Sequence, residues 1–386
     1  MKACGIIVEY NPFHNGHLYH AQKARELSGA EVVVACMSGN FLQRGEPAIT
    51  DKWLRSRAAL ANGVDLVIEL PLCWSLQAAD YFAKGGIKIL QAIGCQALCF
   101  GTDHQDDFDY QAFGRFAHEK RQAIDIAYRA LNDEKLSYPQ KMNQVFTRLY
   151  PEMQLSGAMP NHILGLAYAK ENASYPHPMT LYPLPRVGAG YHDHKLSNQP
   201  IASATGIREA IAKHQTVSNF VPDQTLQSLQ EQQVTWEKLW QFLRYRLLST
   251  TAAELRQIYQ MSDGLEQRML GAVTQATSFS DFLQAVKSKR YTWTRLQRLC
   301  CYVLLNIQDQ EMRQAWQEEQ LRLLGFNATG QAFLRQQKKQ LTAEVVSRVG
   351  KPTTIQQQLM VRGDQIYRLG DERVPEQTIG RIPIRI

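Results

Sequence analysis

The 386-residue sequence predicts an α/β fold, with a parallel sheet flanked by helices in front and a mostly helical domain behind. Three observations carry this. Over the first hundred residues, short runs rich in Val, Ile and Leu alternate with helix-length amphipathic stretches. A loop of Pro, Asn, Gly and His separates the first run from the first helix. Beyond about residue 222, apolar residues recur mainly at helical spacing. With 44% hydrophobic and 20% charged residues, the composition excludes a disordered, collagen-like or coiled-coil chain.

Ala3–Glu9 is the first strand, and Gly16–Leu27 the helix after it. Glu31–Met37 is a second strand, Lys52–Asn62 a helix, and Val64–Leu70 a third strand stopped by Pro71. Leu76–Ala92 reads as a helix and Gln96–Phe100 as a fourth strand. Strands separated by helices imply parallel βαβ units, a Rossmann-like arrangement with ligands outside the strand carboxyl ends. Asp109 to Tyr150 is helical, as is Asn161–Lys170 after Pro160; Met179–Leu184 is a strand and Gly188–Lys195 a Gly/His loop. Ser203–Ala212 starts a helix on a Ser/Thr cap. The domain boundary is placed near Gln215–Pro222, giving a nucleotide-binding unit over 1–215 and a basic helical unit over 222–386. In the latter, Trp236–Leu248, Ala252–Tyr259, Gly264–Thr274 and Thr292–Leu305 are helical, and the last forty or so residues read as a loose tail or small strand pair.

No apolar run approaches the ~18–20 residues of a membrane span. Ile6-Ile7-Val8 is interrupted by Glu9, so no signal-peptide core is seen and a cytoplasmic location without membrane association is expected. Seven cysteines without a C-x-x-C pair point to reduced core thiols rather than disulfides or zinc. Residues 1–200 carry 19 basic and 19 acidic side chains, and residues 201–386 carry 24 and 17, so the whole +7 lies in the second half. A basic back half suits either a polyanionic partner or an ordinary solvated surface.

Tyr10-Asn11-Pro12-Phe13-His14-Asn15-Gly16-His17 follows the first strand and opens the first helix. A helix N-terminus offers free amides and the positive dipole end to an anion. Gly16 lets phosphate approach the backbone, and His14 and His17 at one mouth can donate to charge developing on an α-phosphate. Both side chains are expected to be exposed there. His14-Asn15-Gly16-His17 resembles the HxGH signature of nucleotidyltransferases. Ile201-Ala202-Ser203-Ala204-Thr205-Gly206-Ile207-Arg208 resembles their later S-[ST]-T-x-x-R segment, with Gly206 where a bulkier residue is common. Ser203, Thr205 and Arg208 would suit the β- and γ-phosphates.

The longer strings Val8 to His20, Met37 to Ala48, Val64 to Pro71 and Ser203-Ala204-Thr205 narrow this. They resemble the bacterial tRNA(Met) cytidine acetate ligase family through most of the chain. That resemblance implies acetate and ATP as substrates, acetyl-adenylate and pyrophosphate as the products of a first step, and transfer to N4 of the wobble cytidine of elongator tRNA(Met). It implies ATP contacts from Ile7, Val8, Glu9, Tyr10, Asn11, Pro12, Phe13, His14, Asn15, Gly16, His17, Leu18, Tyr19 and His20, with His14 and His17 catalytic. Further contacts would fall at Gly101, Asn161, Arg186 and Val187. Mg²⁺ is expected to accompany ATP, although no protein ligand for it is evident.

In the loop Gly39 to Lys52, the side chains of Gln43, Arg44 and Lys52 are candidates to close over substrate or to meet the tRNA backbone. Asn161 either caps its helix or contacts nucleotide. The densest basic run is Lys287 to Arg298. Lys287, Lys289, Arg290 and Arg295 are the candidate RNA contacts, with Trp293 expected in the core and Arg295 and Arg298 on one helix face. The alternative function is a small-molecule adenylyltransferase releasing pyrophosphate. A third reading is a non-catalytic tRNA-binding protein on a relict nucleotide fold. A homo-oligomeric state stays open.

Overall fold

The computed structural model describes the chain apart from residues 105–107, 132–135, 137, 152–159, 187–200 and 263. The sheet has β1 (Ala3–Val8), β2 (Val32–Ser38), β3 (Leu66–Leu70), β4 (Ala97–Thr102) and β5 (Thr180–Pro185) from the front of the chain. Its end adds β6 (Gln320–Phe326), β7 (Glu344–Val346) and β8 (Ile384–Arg385). The order is β5-β4-β1-β2-β3-β6-β7, with β8 also beside β6. The first five strands are parallel, and β6 runs antiparallel to β3. β1 and β2 are buried along their whole length, because a parallel sheet is covered on both faces and cannot alternate polar with apolar positions.

Four helices connect β1 to β4 in turn: α1 (Asn15–Ser28), α2 (Lys52–Ala61), α3 (Leu72–Ser75) and α4 (Ala79–Ala92). α1 ends at Gly29, whose left-handed φ of 61° is open to glycine at little cost. α2 starts where Asp51 accepts from the amides of Trp53 and Leu54. The expected helix over 76–92 starts at Ala79 as α4, and the separate short helix α3 precedes it. The chain passes from β1 to β2 and β3 on one side, then returns through α4 to β4 on the other side of β1. Strand order therefore reverses between β1 and β4, which opens a crevice at their carboxyl ends. Among the described residues, no helix is long and apolar enough to cross a membrane.

The last forty or so residues are not a loose tail: Ile355–Arg368 is a 14-residue helix capped by Thr354, and β8 pairs with β6. Gly363 in that helix lets Leu72 approach: a Cβ there would lie 2.6 Å from Leu72 Cδ1. Ahead of them, Leu321, Leu323, Leu324 and Phe326 of β6 are buried against β3 and α2. A short apolar run buried by distant partners has no period of its own, so β6 was not legible locally.

Lys52 is also corrected. It is fully buried rather than poised over a substrate, with Nζ 2.8 Å from Glu69 Oε1 and 2.7 Å from Asp364 Oδ2. Burial opposes its charge, but Asp364 and Glu69 outweigh burial and hold its pKa above the usual lysine value. Around it, Asn40 accepts from the Lys52 amide and donates to Asp364 and Gln377. Arg55, also buried, donates to the carbonyls of Glu9, Ser38, Gly39 and Thr50. Together these bonds fix the ends of β1 and β2 and the loop 39–51 beside the crevice.

Candidate active site

The crevice holds a cavity of about 300 Å³. Ile7, Val8 and Glu9 reach it from the β1 end, Phe100 and Gly101 from β4, and Leu184 and Pro185 from β5. The loop after β1 adds Tyr10, Asn11 and His14, and α1 adds Gly16, His17, Tyr19 and His20. Tyr10 takes a left-handed φ of 56°, a strained conformation for a bulky residue, and its ring packs edge-on against Phe13 at 4.7 Å and His17 at 4.8 Å.

His14 caps α1: its Nδ1 accepts from the Gly16 amide at 3.0 Å, and His17 Nδ1 accepts from the His14 amide at 3.2 Å. The two rings stack at 3.7 Å. With both Nδ1 atoms accepting, each neutral ring carries its proton on Nε2 and offers it as a donor. Burial, then the guanidinium charges of Arg186 and Arg208, pushes His14 down to about 3. Burial, then His14, His20 and Arg186, holds His17 well below its ordinary value. The pair is therefore neutral at pH 7. His14 is only 7% exposed, which corrects the expectation of an exposed side chain. The stacking and capping that orient the ring also bury it. Burial pushes His20 down to about 4, and its Nε2 lies 3.2 Å from the Cys99 carbonyl, so it ties α1 to β4.

The expected free amides of α1 are already engaged. Asn15 N–H donates to the Phe220 carbonyl at 2.9 Å and Gly16 N–H to His14, which leaves the histidine Nε2–H groups and the helix dipole for an anion. Gly16 is required by packing, since a Cβ would lie 2.8 Å from His14 Cε1. The start of helix Ala204–Ala212 is more open. Ser203 Oγ accepts from the Gly206 amide, while the amides of Ala204 and Thr205 have no partner among the described residues. Ser203, Ala204, Thr205 and Arg208 all line the cavity.

Arg208 donates to the Asn11 carbonyl at 2.8 Å and pairs with Glu46 at 3.2 Å, so its head is aimed at the β1 loop. Arg186 lies 3.5 Å from Asp103, and Asp103 also accepts from the amide and side chain of Asn161 at 2.9 and 2.8 Å. Asp103 thus caps helix Pro160–Asn172 and presents Asn161 and Arg186 together. A Cβ at Gly101 would meet only Arg186 Cγ at 3.8 Å, so packing does not demand glycine there. Of the other expected contacts, Pro12, Phe13, Asn15 and Leu18 do not line the cavity, with Phe13 in the core, and Val187 lies outside the described residues.

Gln43 and Arg44 line the cavity as expected. Sequence reasoning missed Glu46, Asp103, Phe82, Leu164 and Tyr168. The last three are apolar or aromatic positions on helices, and nothing local separates a cavity wall from core.

In the basic run, Lys289 and Arg290 are exposed. Arg295 lies over the buried Tyr291 ring at 4.6 Å, and Lys287 over the Trp293 ring at 5.4 Å. One expectation fails: Trp293 is 46% exposed rather than in the core. Arg298 is buried and donates to the Gln43 carbonyl at 3.0 Å. The reason is that helix Trp293–Leu304 packs on the loop 39–51. Gly45, at φ 80°, sits so close that a Cβ would fall 2.1 Å from the Arg298 amide. The basic run is thus docked on the loop that gives Gln43 and Arg44 to the cavity.

An open parallel sheet with paired histidine donors at its switch point defines a nucleotidyltransferase-type site. The HIGH Nucleotidyl Transferase family matches residues 1–381. Among curated relatives, the tRNA(Met) cytidine acetate ligase of Latilactobacillus sakei is 42% identical over 355 residues, spanning 90% of this chain and 88% of the relative. That of Halalkalibacterium halodurans is 40% identical over 407 residues, spanning 100% and 98%. Two crystal structures of Thermotoga maritima TmcAL are each 28% identical to this chain. The apo form superposes with a TM-score of 0.91 over 100% of both chains, and the form bound with alpha-thio ATP with 0.88 over 100% and 99%. The chain belongs to the HIGH nucleotidyl transferase family and, within it, to the tRNA(Met) cytidine acetate ligases.

Proposed function

We propose that the protein joins acetate to ATP, releasing pyrophosphate, and passes the acetyl group from acetyl-adenylate to N4 of the wobble cytidine of elongator tRNA(Met), releasing AMP. The observation that carries the chemistry is the His14–His17 pair, two neutral rings whose Nδ1 atoms are tied to backbone amides and whose Nε2–H groups remain as donors. Donors held in place before reaction stabilise the charge that grows on the α-phosphate without reorganising. Arg208 and the open start of helix Ala204–Ala212 would hold the departing pyrophosphate. A carboxylate is a poor acyl donor, and the mixed anhydride gives it a leaving group.

Among the described residues, no group of three or more His, Cys, Asp or Glu could hold a metal ion. Mg²⁺ would be coordinated by the phosphates and water, and no step here runs through it.

The test is pyrophosphate exchange into ATP across a panel of short carboxylic acids, followed by transfer of labelled acetate to tRNA. Acetate-dependent exchange with transfer to elongator tRNA(Met) is expected. Exchange driven instead by a phosphate ester would establish the small-molecule adenylyltransferase, and no exchange would point to a relict fold.

Two further outcomes are expected. Arg208→Ala should weaken ATP in a nucleotide titration by ~1.5–3 kcal/mol, the scale of a charge-assisted phosphate contact, while tRNA affinity moves by no more than about twofold. Unchanged ATP affinity would reject the assignment. Neutralising Lys287, Lys289, Arg290 and Arg295 together should weaken tRNA binding and flatten its salt dependence, by about 0.7–0.9 log–log units for each phosphate no longer neutralised. Exchange without tRNA checks the division of labour: its collapse would show that the run supports the ATP site instead.

A further inference from the structure

One acidic side chain in the cavity, which the resemblance places among the ATP contacts, is given no step in the chemistry above. Glu9 stands just past the carboxyl end of β1, on the wall that meets the loop 39–51. Its Oε1 accepts from the Gln43 amide at 2.7 Å, while its second oxygen has no partner among the described residues. Among those residues, no guanidinium or ammonium forms an ion pair with it. Arg55 uses its donors on four carbonyls, including that of Glu9 itself. Arg208 is paired to Glu46.

The charged and titratable groups facing Glu9 are Arg44 and Glu46 on the loop, Arg55 on α2, and the Tyr168 ring on helix Pro160–Asn172. Burial pushes the Glu9 carboxyl above the usual carboxylate range, against the opposing hydrogen bond from Gln43. A carboxylate raised in this way is a stronger base than one free in water.

The location says which group it would serve. The histidine pair stands on the α1 side of the cavity. Glu9 stands on the side of Gln43 and Arg44, and that loop is bonded through the Gln43 carbonyl to Arg298 of the helix bearing the basic run. The loop bonded to Glu9 is therefore also the loop bonded to the helix that bears the basic run. Cytosine N4 is an exocyclic amine, a hydrogen-bond donor that carboxylates accept from.

On the reading given under Proposed function, we infer that Glu9 is a catalytic residue of the second step: it accepts a hydrogen bond from the cytidine N4 amine and takes its proton as the acetyl group is transferred. The N4 electron pair forms the bond to the acetyl carbonyl carbon. The bond from that carbon to the α-phosphate oxygen breaks, and AMP leaves with the pair. The N4 proton passes to the free oxygen of Glu9 and then to water. The same contact favours cytidine over uridine, which presents a carbonyl at that position.

The test is Glu9→Gln, whose amide oxygen still accepts from the Gln43 amide, so the loop keeps its anchor. Single-turnover transfer from isolated acetyl-adenylate to tRNA is compared with acetate-dependent pyrophosphate exchange. Transfer is expected to fall by at least ~10²-fold and by far more than exchange, the usual scale for losing a positioned base. The wild-type transfer rate is expected to rise with pH and then level, and the variant is expected to lose that rise. Wild-type transfer by Glu9→Gln, or an equal fall in both steps, overturns the inference by making Glu9 a support of the loop or of the ATP site. A wild-type transfer rate without an acid limb overturns it independently of any variant. Absence of acetate-dependent exchange in the wild-type protein overturns the functional reading itself, which the variant arms leave intact.

Discussion

Replacing His17 by alanine is expected to lower acetyl-adenylate formation by at least ~10²-fold, the scale seen when one fixed donor to a transition state is removed. The ring's Nδ1 already accepts from the His14 amide, so its Nε2–H is the donor the reaction would use. His14 needs a different substitution, because it also caps α1 and its removal would cost roughly 1 kcal/mol of stability besides the donor. His14→Asn keeps a side-chain acceptor at the cap and removes the Nε2–H group. It should reduce pyrophosphate exchange by a similar factor while urea unfolding stays close to wild type. The acid dependence adds a check. Held low by burial, His14 to about 3 and His17 well below the ordinary histidine value, the rings are neutral through the physiological range. Exchange should therefore show no acid limb near the ordinary histidine value of about 6.5. Near-normal exchange in either variant would remove the pair from the mechanism, and an acid limb at that ordinary value would mean that burial does not hold the rings neutral.

Lys52→Met is expected to destabilise the fold by about 3–5 kcal/mol, the range for breaking a buried ion pair from one side. The change would leave the Glu69 and Asp364 carboxylates facing each other without their shared ammonium. Against a total of about 5–15 kcal/mol for a typical domain, that is a large fraction. Urea unfolding measures it directly. The triple change Lys52→Met, Glu69→Leu and Asp364→Leu should recover much of the stability, because removing all the buried charge avoids the unpaired residue. A Lys52→Met stability within about 1 kcal/mol of wild type would show that the network is not a structural tie. A lysine at the end of a polar loop looks available to a substrate, and three-dimensional packing alone reveals the two acids that enclose it.

The parallel strands were legible because their residues are buried on both faces and need only be apolar. The site was legible at His14, Gly16, His17, Ser203 and Arg208, where turn geometry and the anion-seeking ends of two helices restrict the residue type. Phe82, Leu164 and Tyr168 were not, since an apolar side chain facing a cavity has the same helical spacing as one facing the core. Trp293 was misjudged in the opposite direction. Its place next to Thr292 at a helix start suited a core anchor, but the packing of that helix on Gly45 turns Arg298 inward and leaves Trp293 46% exposed.

By itself, the sequence determined the βαβ order, the positions of the two helix starts that face the crevice, and the excess of positive charge in the second half. These depend on local periodicity, on capping and on composition, all of which a single stretch of chain expresses. Tertiary structure alone decided that β6 and β8 complete the front sheet, that Lys52 and Asp364 meet across 312 positions, and that α1's amides are spent on Phe220 and His14. Each of those depends on what the opposite partner is, and a partner hundreds of residues away leaves no mark on the segment that will bury it.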